Sequence, residues 1–413
     1  MRSISDRNIF LTAWCFFVIA TAIGVVLRVH VLWSIPGVNY AFVLHAHSHT
    51  AFLGWVYNAF FAFALHFFVP SSDRGRFAGL FLVTQIATVG MLVTFPLQGY
   101  ARESIAFSSL HMACAGVFAW KLLRVGQAAR AARTALAWAF GFMFLSGVGP
   151  VSLGAIAVAG GRESPWYSMA IYFYLHFQYN GWFVFFLLAV LLQWQRDVSG
   201  RGTASAAGVN RAVHWLAVGC VLALALSALW MTPPPWVNAV GLVGGGAQGV
   251  GVILLARALG GHGLSFQSRL AGWLMGAGVG AFLLKLVLQL LGGWPALAAL
   301  VTQRMVVVGF MHLVFLAVVT PLLLALALEL GWMRLRAAGR VGLALLALGT
   351  VVTELVLFLP AAAGFFSWIP ALPRVHETLA FAGGLILVGV ALLLTGFRTR
   401  SRAALPDGGP PAP

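Results

Sequence analysis

Six histidines carry the chemistry this sequence can do. Three crowd one short stretch, Tyr40-Ala-Phe-Val-Leu-His45-Ala-His47-Ser-His49. His111 sits in Leu110-His-Met-Ala-Cys114, His176 in Tyr174-Leu-His-Phe-Gln-Tyr179-Asn180, and His312 in Gly309-Phe-Met-His-Leu. Each lies inside a long apolar run. Imidazole is the commonest protein ligand for metals and titrates near neutrality, so histidines at such positions point to metal ligation or proton handling. At about 100° per residue on a helix, His45 and His49 share a face and His47 projects to the other side. On its own helix His176 shares a face with Tyr179 and Asn180. His111 and Cys114, three apart, make a workable pair for a soft metal.

The surrounding elements must be membrane helices. Of 413 residues, 61% are hydrophobic and 8% charged, with a mean hydropathy of +0.94. Soluble domains carry about 25% charged residues, so a soluble, disordered, collagenous or disulfide-built protein is excluded. The apolar stretches are too long and continuous for an alternating β-barrel pattern. Punctuation by charged, Gly/Pro-rich and Ser-rich segments leaves twelve runs. They lie near 10–34, 40–68, 77–96, 105–124, 134–158, 166–194, 212–231, 236–256, 270–292, 300–328, 341–359 and 377–397. The longest, 40–68 and 300–328, exceed the bilayer thickness and are expected to tilt or protrude. No short repeat is visible. The expected fold is all-α, a single twelve-helix transmembrane domain over 1–400 with a short disordered tail, 401–413. The first run follows Arg2 and Arg7 but is longer than the core of a signal peptide, so it reads as a retained helix.

The formal charge of +16 fits a topogenic bias better than nucleic-acid binding, because the basic residues sit in short loops. Placing both termini in the cytoplasm puts nineteen of the 25 basic residues inside, as the positive-inside rule requires. Arg28, Arg102, Arg162, Lys285, Arg304 and Arg374 fall toward the outer side. In that orientation all six histidines occupy the outer half of the membrane. Arg304 lies two turns above His312 on one helix. His30, His66, His214, His262 and His376 stand near helix ends or in loops and read as solvated. Lys285 and Glu354 are charges inside apolar runs, and an ion pair between them would lower the cost of both. Cys15, Cys114 and Cys220 form no CxxC or CxxCH motif, which leaves zinc knuckles and covalent c-type haem without support.

Twelve helices with histidines on the second, sixth and tenth resemble the catalytic subunit of the haem–copper oxidase superfamily, which includes the nitric oxide reductases. That resemblance implies a low-spin b-type haem between the second and tenth helices, held by His312 and one of His45, His47 or His49, of which His47 and then His49 are preferred. Arg304 would then meet a haem propionate. It further implies a second metal, copper or another, among His45, His49, His111 and His176. The sequence departs from the family where Phe310 and Val314 stand in place of a second tenth-helix histidine. It departs again in the seventh run, which reads Ala228-Leu-Trp-Met-Thr-Pro-Pro-Pro and lacks a His-His pair, and Tyr179 follows His176 by three positions rather than four. The copper ligand set is therefore incomplete. The segment His45-Ala-His47-Ser-His49-Thr-Ala-Phe-Leu-Gly54 is also similar to the His-Ala-His segment of NnrS-type haem- and copper-containing proteins linked to nitric oxide stress.

The expected function is electron transfer or redox chemistry of NO or O2 in a bacterial-type inner membrane. The expected partners are membrane lipids, a cytochrome or quinol donor and partner subunits; nucleic acid is not among them. No catalytic residue is assigned. The alternative is a transporter that uses the histidines for a metal-ion or proton path.

Overall fold

A chain this apolar has one economical way to satisfy its backbone in lipid, which is hydrogen bonding within each segment. The computed structural model, which describes residues 5–199, 206–260, 266–366 and 372–397, is accordingly all-helical, with no strand among the described residues. Twelve helices are long and apolar enough to cross a membrane. We label them α1 (Asp6–Leu32), α2 (Tyr40–Phe68), α3 (Arg74–Gln98), α4 (Arg102–Val125), α5 (Arg130–Val158) and α6 (Pro165–Val198). The second half holds α7 (Ala206–Met231), α8 (Pro235–Leu259), α9 (Arg269–Gly292), α10 (Arg304–Glu329), α11 (Ala337–Phe365) and α12 (Val375–Phe397). The expected runs match these within a few residues. The tenth starts later than expected because Pro295–Leu297 and Ala298–Val301 form separate short turns before Arg304. The longest helix is α6, with 34 residues. The expected tail, 401–413, lies outside the described residues.

Three helices form the centre. The apolar stretches of α2, α6 and α10 are 83, 72 and 61% buried, against 44% or less for the other nine. Every fourth helix is therefore an inner one, a repeat by helix count that the amino-acid order conceals. Each inner helix also widens into a π-helical segment at its histidine: Thr50–Val56 follows His49, His176–Phe183 begins at His176, and Leu313–Val319 follows His312. Such segments interrupt the regular backbone ladder. Polar side chains take up carbonyls there: Asn58 Nδ2 donates to Gly54 O at 2.8 Å, and Thr320 Oγ1 to Phe315 O at 2.8 Å.

Within these wider turns the three inner helices meet ring to ring. Phe52 of α2 stacks on Phe315 of α10 at 4.6 Å, Phe183 of α6 meets Phe315 edge-on at 5.4 Å, and Phe52 and Phe183 lie 5.9 Å apart. The nine remaining helices surround this triad in three groups. Helices α11, α12 and α1 close the sector between α10 and α2; α3, α4 and α5 close that between α2 and α6; and α7, α8 and α9 close that between α6 and α10. The ring shuts where α1 meets α12. Trp14 Nε1 donates to Val390 O at 2.9 Å. Arg7 donates to the Trp332 and Phe397 carbonyls, and Asp6 accepts from Arg74 at 2.7 Å. Both described ends thus lie on one face of the bundle.

Truncating the central ring is predicted to be costly. Phe183 is fully buried, and Phe→Ala at such a site costs about 3–5 kcal/mol. Phe183→Ala should therefore lower the melting temperature in detergent markedly, while Phe381→Ala, at an exposed ring, should leave it nearly unchanged.

Candidate functional site

The sector between α10 and α2 is built from two matching helix faces. On α1, Ala20, Gly24 and Arg28 recur every four residues and so share one face. On α10, Arg304, Val308 and His312 do the same. His47 leaves α2 toward α1, where its Nδ1 pairs with Ala20 O at 2.9 Å. A carbonyl can only accept, so the proton sits on Nδ1 and the Nε2 lone pair is left for a ligand. Gly24 makes the room, since a Cβ there would come within 3.0 Å of His47 Cε1. Across the sector, His312 Nδ1 donates to Val308 O at 2.8 Å and has the same tautomer. His312 lies within electrostatic range of both His47 and Arg28, and Arg28 within range of Arg304 and Tyr40. Neither arginine has an acidic partner among the described residues. Two imidazoles with free Nε2 lone pairs therefore stand beside two uncompensated guanidinium groups. Such a site suits a metal held from two sides whose ligand carries carboxylates.

The sector between α2 and α6 receives His45 and His49, on the side of α2 away from His47 as the helical step predicts. His49 Nδ1 donates to His45 O at 2.9 Å, and Tyr100 O–H reaches His49 Nε2 at 3.3 Å. His45 packs edge-on to the Tyr100 ring at 4.6 Å. His111 is buried deeper, against the Tyr57 ring at 4.7 Å, and its Nε2 has no hydrogen-bond partner. Tyr57 lies two turns below His49 on α2, so these histidines form a column rather than a cluster. Below them Asn58 and Gln85 exchange hydrogen bonds at 3.0 and 2.9 Å. Phe61, Phe81 and Phe118 fill the sector further down.

His176 faces the third sector, away from the other three residues expected to share a second metal. Its Nε2 donates to Cys220 O on α7 at 2.8 Å, and Asn180 Nδ2 donates to its Nδ1 at 3.2 Å. Both ring nitrogens are engaged. Among the described residues no three of His, Cys, Asp and Glu are placed to hold a metal ion. The expected Lys285–Glu354 ion pair is absent as well. Lys285 on α9 faces Cys220 and His176, whereas both Glu354 oxygens on α11 are buried without a hydrogen-bond partner. The remaining histidines keep to helix ends: His66 meets Asp6 at 3.3 Å, His214 bonds to Asn210 O, and His30 accepts from Ile35 N. His262 lies outside the described residues.

No protein-family model matches this sequence, and no curated protein matches it. Among solved structures the chain is similar to one from a haem–copper terminal oxidase dimer, with a TM-score of 0.56 over 96% of this chain and 84% of that one. Identity is 14%, so the likeness is one of fold. The class is a twelve-helix membrane protein with the fold of a haem–copper oxidase chain.

Within that fold the sectors differ. The α10–α2 sector fits a haem held by two imidazoles by its donor set. The α6–α10 sector, which holds His176, does not fit a copper ion. Phe310, two residues before His312, packs toward Tyr179 at 6.1 Å and lies under Lys285 Nζ at 5.7 Å, while the α7 residue beside His176 is Cys220. Sequence reasoning passed over Ala20 and Gly24, whose roles arise only from the placement of α1 against His47. The four-residue spacing of Gly24 and Arg28 was the one available signal.

The Asn58–Gln85 pair gives a test of this placement. Asn58→Leu alone leaves Gln85 Oε1 and the Gly54 carbonyl without their donor and is predicted to cost about 1–3 kcal/mol. Asn58→Leu with Gln85→Leu should recover the share of that loss that comes from Gln85 in detergent unfolding.

Proposed function

We propose that this chain is a membrane haem protein that holds one b-type haem between α2 and α10, where His47 and His312 would hold its iron. The observation that carries the reading is the matched pair of imidazoles, each with Nδ1–H tied to a backbone carbonyl and Nε2 left free. Arg28 and Arg304 support it, because two guanidinium groups without acidic partners suit the two propionates of a haem. His49 is the weaker candidate ligand, since it faces Tyr100 in another sector.

A haem in this position supplies one-electron redox chemistry. The protein's part is to fix both imidazoles and exclude water. The Ala20 and Val308 carbonyls hold the rings in one tautomer and orientation, which keeps each Nε2 basic. Gly24 lets the His47 ring lie against α1. The Arg28 and Arg304 guanidinium groups would pair with ionised carboxylates of a bound ligand. The proposed role is electron transfer linked to NO or O2 chemistry, with a separate cytochrome or quinol as donor and partner subunits in the membrane. No metal is assigned to His45, His49, His111 and His176, because they fall in two sectors. The basic residues support an orientation with both termini cytoplasmic in a bacterial-type inner membrane.

Haem and iron per chain, measured on protein purified from haem-supplied cells, test the ligand pair. His47→Ala and His312→Ala should each reduce bound haem at least tenfold, while His49→Ala and His176→Ala retain it. Full haem content in both His47→Ala and His312→Ala would refute the assignment.

A further inference from the structure

The α6–α10 sector contains a charge that nothing in the described chain balances. Lys285 on α9 is 1% exposed, inside a helix that spans the membrane. It makes no ion pair among the described residues. Its ammonium lies 6.0 Å from the centre of the Phe282 ring and 5.7 Å from that of Phe310. These aromatic faces attract a cation but offer it no hydrogen-bond acceptor of their own. The carboxylate that could have answered it, Glu354, belongs to α11 in another part of the bundle.

The neighbours make the imbalance sharper. His176 Nε2–H points to Cys220 O and its Nδ1 is engaged by Asn180, so the imidazole has no lone pair left for the ammonium. The Cys220 thiol lies 3.9 Å from His176 Nε2, on the side of α7 that faces Lys285. A buried ion without a counter-charge is strongly disfavoured in a membrane interior.

We propose that Lys285 binds a small monoanion between α6, α7 and α9, beside His176 and Cys220. The ammonium supplies the charge and up to three donors. The Cys220 thiol is a further weak donor, and the Phe282 and Phe310 rings shield the pair from lipid. The ligand class is a small inorganic anion or a short carboxylate, such as chloride, nitrite or formate. The site is independent of the haem reading, since it shares no side chain with the α10–α2 sector.

Equilibrium dialysis of the purified full chain against labelled chloride, nitrite and formate, each alone, tests the proposal, with haem content recorded on the same samples. At least one anion should bind saturably at one per chain. Lys285→Met should weaken that binding at least 100-fold, and Lys285→Arg should keep it within tenfold. Lys285→Met removes an uncompensated charge and is expected to fold. If it does not, the wild-type chain decides, because its melting temperature should rise with the bound anion at constant ionic strength. Absence of saturable binding and of any anion-specific rise for all three anions would overturn the proposal, as would undiminished binding by folded Lys285→Met. Loss of haem with anion binding intact would count only against the haem reading.

Discussion

The contact on which this structure depends is the meeting of Phe52, Phe183 and Phe315 at the centre of the bundle. Each ring comes from a wider turn of its helix, and each turn lies at a histidine. The π-helical segments therefore do two things together. They bring three aromatic rings to one axis, and they displace the helix surface next to the histidine so that its ring enters a different sector. Three inner helices joined this way leave three gaps, and the other nine helices close them three at a time. The buried histidines and Lys285 lie in those gaps.

Each sector meets the expense of polar groups in lipid differently. Between α10 and α2, both imidazoles donate a hydrogen bond from Nδ1 to a backbone carbonyl and keep the Nε2 lone pair, beside arginines that lack carboxylates. Between α2 and α6, Tyr100, His49, His111 and the Asn58–Gln85 pair descend as a column and stop at phenylalanine. Between α6 and α10, His176 is satisfied twice over, while Lys285 is left with aromatic faces. The same fold thus carries one region suited to a bis-imidazole metal complex and another that is unsuited to it. That difference rests on a few residues: His47 and His312 keep a free ring nitrogen, whereas both nitrogens of His176 are engaged by the Cys220 carbonyl and Asn180.

Much of this was legible in the sequence. Hydropathy located twelve helices because a run of about 20 apolar residues has few other uses. The 100° step placed His47 opposite His45 and His49, and His312 and Arg304 on one face, since those relations are internal to a helix. What failed to show were relations between helices. Lys285 and Glu354 lie at similar depth and looked like a pair, but depth says nothing about position around the ring. His176 looked free to bind metal because its partner is the Cys220 carbonyl, and a backbone group leaves no mark in the amino-acid order. The recurrence of an inner helix at every fourth position was hidden for the same reason: the three π-helical segments share shape without sharing sequence.

The central claim is that one iron sits between two histidines on α2 and α10. Electron paramagnetic resonance of the oxidised, purified protein, with iron and copper counted on the same sample, addresses it most directly. The account predicts one iron per chain with the low-spin signal of two axial imidazoles. Protein made with ample haem that holds no iron, or whose iron is high-spin with a single imidazole ligand, would contradict it.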